Sequence, residues 1–289
     1  MWFVLAISVA IIWGFAELYF KKSTQTESNT LLFFWQYVLQ GIVYMLVCFV
    51  LGEGLFENFR LELLLKILPI ALVSWVSMFI YIKAIANSKL SIVSPIMSSN
   101  YILAVILGIV FLNERVTYLQ IISIVLILIS MFLLVRCKNT DKNCEVSNKK
   151  YIYGIILALI YFIAIGGNSF AEKAYLNFYV TAIEFIFYYG ILCLIMTIIM
   201  FFTIKGVKKD FIFKKPNKDT WKGIIYSNLG GVIYTYTLSM NNISLVIPII
   251  SSYVVVTEIL AAVILREKVS IKQRIYIVLI ILGVIMISL

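Results

Sequence analysis

Long apolar runs separated by short polar stretches divide this chain into ten segments: 1–20, 31–51, 64–86, 91–112, 117–136, 151–171, 181–204, 221–241, 243–265 and 270–289. Each is about the ~20 residues that a helix needs to cross a bilayer. The runs are continuous, whereas strands of a membrane barrel would alternate apolar and polar positions in short segments. Most connections are short, so neighbouring helices are expected to be antiparallel. The longest breaks, about 137–150 and 205–220, leave no room for a soluble domain. The pattern predicts an all-α membrane protein with ten transmembrane helices.

A second pattern is laid over the first. Residues 80–135 recur at 233–288, with 20 of 56 positions identical at an offset of 153. Identical Ile, Leu and Val carry little information in so apolar a chain. The matches of Tyr81, Ser91, Pro95, Ser98, Ser99, Glu114 and Gln120 with Tyr234, Ser244, Pro248, Ser251, Ser252, Glu267 and Gln273 carry much more. The chain reads as a tandem duplication of five-helix units, 1–136 and 151–289, joined by a linker at 137–150 that is expected in the cytoplasm. Five is odd, so the second unit lies upside down relative to the first. Inverted repeats of this kind build a site near the membrane midplane that opens alternately to either side.

Composition agrees: 63% hydrophobic and 13% charged residues with mean hydropathy +1.03 exclude an ordinary soluble domain. The net charge of +10 raises nucleic acid as a partner, but its distribution points to the lipid bilayer instead. Of the 24 Lys and Arg, 20 fall at the loops after spans 1, 3, 5, 7 and 9, and only Arg60, Lys66, Arg115 and Lys173 fall on the other side. The positive-inside rule places the basic side in the cytoplasm and both termini outside. The first span lacks the basic start and small-residue cleavage site of a signal peptide. There is no His, and Cys48, Cys137, Cys144 and Cys193 lack metal-ligand spacing, so no metal or cofactor is expected.

The tryptophan–glycine pair Trp13-Gly14, the stretch FLNERVTYLQ after span 4 and its repeat ILREKVSIKQ after span 9 resemble the drug/metabolite transporter superfamily, in particular its ten-span EamA-type members. The likeness covers nearly the whole chain. It departs at Ser123, Ser130 and Tyr276, where the family often has Gly, with Gly283 keeping the pattern. It also departs at Gln36, where the family often has Arg, so an anion-binding role for that Arg does not carry over. Gly166-Gly167 replaces the Trp-Gly pair at the 153-residue offset. The resemblance implies movement of small metabolites, often export, by alternating access. The family spans amino acids, drugs, sugars and nucleotides, so the resemblance names no substrate.

Among candidate residues, Glu258 lies mid-way along span 9. An ionised carboxylate at bilayer depth costs at least ~2.5 kcal/mol on insertion scales, which makes such a residue functional or protonated. Its repeat counterpart is Val105. Ser251 precedes it by seven residues on nearly the same face. The alternative is a neutral Glu bonded to a neighbouring helix. Ser74, Tyr81 and Ser88 form a polar stripe on span 3 that Ser227, Tyr234 and Asn241 repeat on span 8, as a cavity lining or as helix-packing contacts. Trp13, Trp75, Tyr101 and Tyr253 are candidate aromatic walls. Glu17, near the cytoplasmic end of span 1, is a candidate for a cation or proton, or else an interfacial ion-pair partner. Glu172 is expected to end span 6 in such a pair with Lys173, and Glu184 to lie near the start of span 7. Glu114 and Glu267 at loop junctions are expected to be structural, as helix-end partners for nearby basic groups. Gly166-Gly167 suggests a hinge or a close helix contact.

A secondary transporter, an exporter of small metabolites or drugs across the plasma membrane, is the leading reading, with a cationic or zwitterionic substrate. Two schemes stay open: Glu258 carries a coupling proton, or it pairs directly with the substrate. A flippase for a lipid-linked intermediate on the same scaffold is the alternative. A membrane-embedded enzyme is remote: there is no His, no GxxxxGK[ST] nucleotide loop and no gathering of acids for a metal. The orientation is directly testable. A reporter that is active only in the cytoplasm should be silent when fused after Leu289; an active fusion reverses the assignment.

Overall fold

The protein was analysed as a computed structural model, which describes residues 1–23, 27–52, 54–87, 97, 100–138, 148–203, 216–264 and 270–287. Among them are eleven helices: α1 (Trp2–Ser23), α2 (Asn29–Leu51), α3 (Leu61–Asn87), α4 (Asn100–Phe111), α5 (Tyr118–Lys138), α6 (Asn148–Phe178), α7 (Ala182–Thr203), α8 (Lys218–Met240), α9 (Ile243–Ser251), α10 (Tyr253–Ile264) and α11 (Ile271–Ile287). Helix is the expected choice in lipid, because it satisfies backbone polar groups within the segment. Two starts are sealed by side chains: Ser28 accepts from Leu31 N ahead of α2, and Asn217 accepts from Thr220 N ahead of α8.

Six stretches among the described residues are long and apolar enough to cross a membrane: Trp2–Phe20, Leu31–Leu51, Leu61–Tyr81, Ile152–Phe178, Ala182–Thr203 and Ile243–Ile264. The other spans differ for physical reasons. Span 8 (α8) carries Ser227, Asn228, Thr235 and Thr237, which are buried or half-buried inside the bundle. Spans 4 and 5 hold shorter apolar helices, Asn100–Phe111 and Tyr118–Leu134, the start of span 4 lies outside the described residues, and span 10 is described as a helix of 17 residues, Ile271–Ile287. Outward-facing Ile, Leu and Val are the rule, for example Ile122 and Ile129 on α5 and Val278 and Ile285 on α11.

Two expected boundaries are corrected. Span 9 is two helices, because Ser251 Oγ donates to Pro248 O at 2.7 Å and Ser252 Oγ donates to Ile249 O at 2.6 Å. These hydroxyls compete with the backbone ladder just after a proline. Span 6 does not stop at 171. It runs unbroken through Gly166-Gly167 to Phe178, which puts Glu172 and Lys173 well inside a helix.

The packing shows the inverted repeat. α1 packs on α8 as α6 packs on α3, α8 on α2 as α3 on α7, and α1 on α9 and α10 as α6 on α4. The pairs α2–α7, α4–α9 and α5–α11 join equivalent spans of the two halves. The ten spans therefore form two inverted five-helix repeats that interleave. One apolar cluster centres on α2, α3 and α7, and another on α1, α4, α5, α9 and α11.

Two glycines set the registry of this interleaving. A Cβ on Gly14 would stand 2.6 Å from Val256 and 3.2 Å from Tyr253 O, and a Cβ on Gly166 would stand 2.8 Å from Asn100 O and 2.9 Å from Leu103. Asn100 and Leu103 are the 153-residue counterparts of Tyr253 and Val256. Gly14 and Gly166 are thus equivalent at 152 residues, one fewer than the sequence offset. The structural partner of Trp13-Gly14 is Ile165-Gly166 rather than Gly166-Gly167, and Glu17 corresponds to Ser169. Gly167 would meet nothing within 4 Å.

The two neighbouring glycines make a paired test. Gly167→Ala should leave thermal unfolding in detergent unchanged or raise it, since Ala gains up to ~1 kcal/mol of helix propensity. Gly166→Ala should lower it, because overpacking costs ~1–3 kcal/mol. Equal effects would contradict the close contact at Gly166.

Candidate functional site

A cavity of about 250 Å³ lies between the repeats. Its wall takes Trp13 from α1, Gln36, Gln40 and Tyr44 from α2, Ser74 from α3, Tyr101 from α4, Ile165, Asn168, Ser169 and Glu172 from α6, Phe185 and Tyr189 from α7, Ser227, Gly231, Tyr234 and Thr235 from α8, and Ile247 from α9. Helices of both halves contribute, as inverted repeats require.

Glu172 is the acidic group of this wall, and Thr235 Oγ1 donates to its carboxylate at 3.0 Å. The neighbouring side chain goes elsewhere. Lys173, 4% exposed, donates from Nζ to Leu238 O at 2.7 Å. The interfacial Glu172–Lys173 pair expected from the sequence is therefore absent, because consecutive residues on a helix point about 100° apart. Lys173 ties α6 to the end of α8, leaving Glu172 to the cavity.

The aromatic side is held by glycine. Trp13 stacks on Tyr234 with centroids 5.3 Å apart and meets Tyr253 edge-on at 6.3 Å. Its Nε1 donates to Ser227 O at 3.2 Å. A Cβ on Gly230 would collide with the Trp13 indole, and one on Gly231 would stand 2.5 Å from the Tyr44 hydroxyl. The Gly230-Gly231 pair makes room for both rings.

Polar side chains fix the rest of the wall. Gln36 Nε2 donates to Ser227 Oγ at 3.0 Å and to Asn228 Oδ1 at 3.1 Å, while its own Oε1 is buried without a protein partner. Asn168 Nδ2 donates to Ser74 Oγ at 3.0 Å. Tyr234 and Ser169 share the wall. The wall thus brings together one carboxylate, amide and hydroxyl side chains and several aromatic rings.

The sequence-derived candidates divide. Trp13, Ser74, Ser227 and Tyr234 line the cavity together. Ser251 is fully buried at the α9–α10 break, with its hydroxyl on Pro248 O. Tyr81 packs its ring against Tyr161 at 5.5 Å, outside this wall. Glu17 is exposed on α1, also outside it. Glu258 belongs to α10, and its side chain lies outside the described residues, as do Ser88 and Glu267. Glu114 has a different kind of partner from the basic groups expected. Its Oε1 accepts from Ile243 N at 2.7 Å and its Oε2 from Ser244 N at 2.9 Å, so it caps α9 across the repeat boundary. Glu184 pairs with Arg60.

The residues missed by sequence reasoning have signals that could have found them. Gln36, Gln40 and Tyr44 recur every four residues on one face of α2. Asn168, Ser169 and Glu172 share a face of α6. Both stripes lack a repeated counterpart, so the internal duplication does not single them out.

The model of the EamA-like transporter family matches residues 1–136 and 152–289. No curated protein matches the chain. Among similar solved structures is one titled only as the crystal structure of a protein, 15% identical, with TM-score 0.75, covering 100% of this chain and 98% of its own. That likeness concerns the fold.

Proposed function

Because the chain belongs to the EamA-like transporter family, a family of multi-pass membrane transporters, we propose that it moves small organic cations or zwitterions by alternating access. The single observation that carries the substrate class is Glu172, a carboxylate set into an aromatic and amide-lined cavity between the inverted repeats. An ionised acid at this depth needs a counter-charge, and a bound ammonium or a proton supplies one. Trp13, Tyr44 and Tyr234 add ring faces, each worth ~0.5–2 kcal/mol to a desolvated cation. A volume of about 250 Å³ suits a metabolite of modest size. Glu172 takes the central role that the sequence alone assigned to Glu258, and Glu258 stays a second candidate on α10. Plasma-membrane residence, outward termini and net export belong to the same reading. They rest on the charge distribution and the resemblance rather than on the cavity.

The test is flux of a small cation panel into proteoliposomes, with and without an imposed pH gradient. Glu172→Gln should slow transport by about 10- to 100-fold, the equivalent of losing a charged hydrogen bond of ~1.5–3 kcal/mol. If Glu172 holds the coupling proton, the gradient accelerates the wild type and not the variant. If it pairs with cargo, the gradient matters to neither and the variant loses binding. Wild-type flux in Glu172→Gln, with loss in Glu258→Gln, would move the site to α10.

A further inference from the structure

At the end of the bundle that carries most of the Lys and Arg, two helices bring their ammonium groups to one ring. Lys22 of α1 holds Nζ 5.6 Å from the centroid of Tyr19, and Lys222 of α8 holds Nζ 5.3 Å from the same centroid. Tyr226 of α8 stacks on Tyr19 with centroids 5.9 Å and planes 12° apart, and Phe15 of α1 lies against Tyr226 at 5.7 Å. Close packing builds this convergence. A Cβ on Gly223 would stand 3.3 Å from both Phe20 N and Tyr19 Cβ, so glycine lets α8 approach α1 beside the ring.

Each ammonium gains from the ring face, but the two like charges repel one another. Among the described residues neither lysine has a carboxylate at ion-pair distance. Glu27, at the same end, is already engaged: its carboxylate accepts from Asn217 N and Thr220 Oγ1. Asp219, in the first turn of α8, pairs with neither lysine. Lysines at a membrane boundary ordinarily reach separately into water. These two fold back over one ring, where a single anion between them would balance both.

The position selects the anion. The apolar stretch Trp2–Phe20 ends one residue past Tyr19, which puts the ring at the membrane boundary and Lys22 just beyond it. Towards the membrane core the same helix faces carry Ile11 on α1 and Ile225 and Leu229 on α8, all exposed. A ligand that meets both halves of this surface has a charged head and apolar chains. The repeat shows that the shared scaffold does not require the cluster. At offsets of 152 residues for α1 and 153 for α8, Tyr19, Lys22, Lys222 and Tyr226 correspond to Ala171, Ala174, Pro69 and Val73. The opposite mouth has neither a ring nor a cation at those positions.

We propose that Lys22 and Lys222, over the Tyr19–Tyr226 pair, bind the phosphate headgroup of one anionic phospholipid in the leaflet on the basic-loop side, with its acyl chains along Ile11, Ile225 and Leu229. The site is independent of Glu172 as a cargo group. A lipid bound there bridges α1 and α8, the helices that carry Trp13, Ser227 and Tyr234 into the cavity wall.

The experiment is native mass spectrometry of the full chain in detergent, titrated with phosphatidylglycerol or phosphatidylcholine of identical acyl chains. The first phosphatidylglycerol should bind about tenfold or more tightly than phosphatidylcholine, and Lys22→Gln with Lys222→Gln should weaken it by about fivefold per lysine. Lys22→Arg with Lys222→Arg should keep the affinity, which separates headgroup binding from a folding defect. Lys272→Gln with Arg274→Gln changes two exposed basic residues of α11 at the same membrane face and should leave that affinity nearly unchanged. Equal affinity for the two lipids overturns the site, as does undiminished selectivity in the Lys22 and Lys222 glutamine variant. An equal loss in the α11 variant also overturns it, because the lipid would then follow surface charge alone. Glycerol phosphate at the same concentration should leave the lipid bound; displacement by it overturns the assignment to a lipid.

Discussion

The close approach of the first helix of each repeat to the fourth span of the other fixes where the cavity-lining residues stand. At Gly14 and Gly166 there is no room for a side chain against the backbone carbonyls of Tyr253 and Asn100. In lipid no water gathers to drive helices together, so such van der Waals contact at small residues supplies much of the association. With α1 and α6 pressed outward onto α10 and α4, residues elsewhere on their surfaces face one another's territory. That is where Trp13, Ile165 and Ser169 line a common cavity. Registry at two glycines therefore positions the chemistry, and a shift of one residue at either would rotate the lining face by about 100°.

The scaffold is legible in the chain because its causes are local or repeated. Span length follows from bilayer thickness, and inversion follows from an odd number of spans. The Ser74/Ser227 stripe stands out because it occurs twice. The cavity's main acid does not stand out, for a physical reason. Glu172 reads as an interfacial residue because the apolar run of span 6 ends at 171, yet the helix continues to Phe178 and carries the carboxylate inward. Its separation from Lys173 depends on Leu238 O, a backbone partner on another helix that no local pattern announces. The same holds for Gly230 and Gly231, which are ordinary small residues until Trp13 and Tyr44 are seen against them. Glu114 is a helix-end partner as its position at a loop junction suggests, but its target is the start of α9 in the other repeat.

The one-residue difference between sequence offset and structural equivalence changes how the symmetry is understood. At 153 residues Glu17 would face Phe170, and the recurrence of Phe-Ala-Glu at 155 suggests that Glu17 and Glu172 are copies. The packing of Gly14 and Gly166 makes neither pairing right. Glu17 corresponds to Ser169, one turn short of Glu172. Each half has kept its tyrosine, Tyr81 or Tyr234, and carries its acid at a position that is not equivalent in the other half. The helix packing keeps the symmetry of the repeat, while the side chains that line the cavity do not.

Side-chain asymmetry about an inverted repeat cannot by itself make a transport cycle directional. A ligand shifts a conformational equilibrium only by its difference in affinity between the states, and a closed cycle returns the protein to where it began. Side chains placed asymmetrically along a path change only how long a ligand dwells at each point. They leave the equilibrium ratio across the membrane untouched. Net movement must come from a gradient, of the cargo itself or of a coupled ion that competes for the same acid. In the proposed role Glu172 suits that competition, because it sits in a small cavity where Thr235 is the one hydroxyl among the described residues that donates to it, across 3.0 Å. One carboxylate with so few fixed donors can hold a proton or an ammonium, and not both at once.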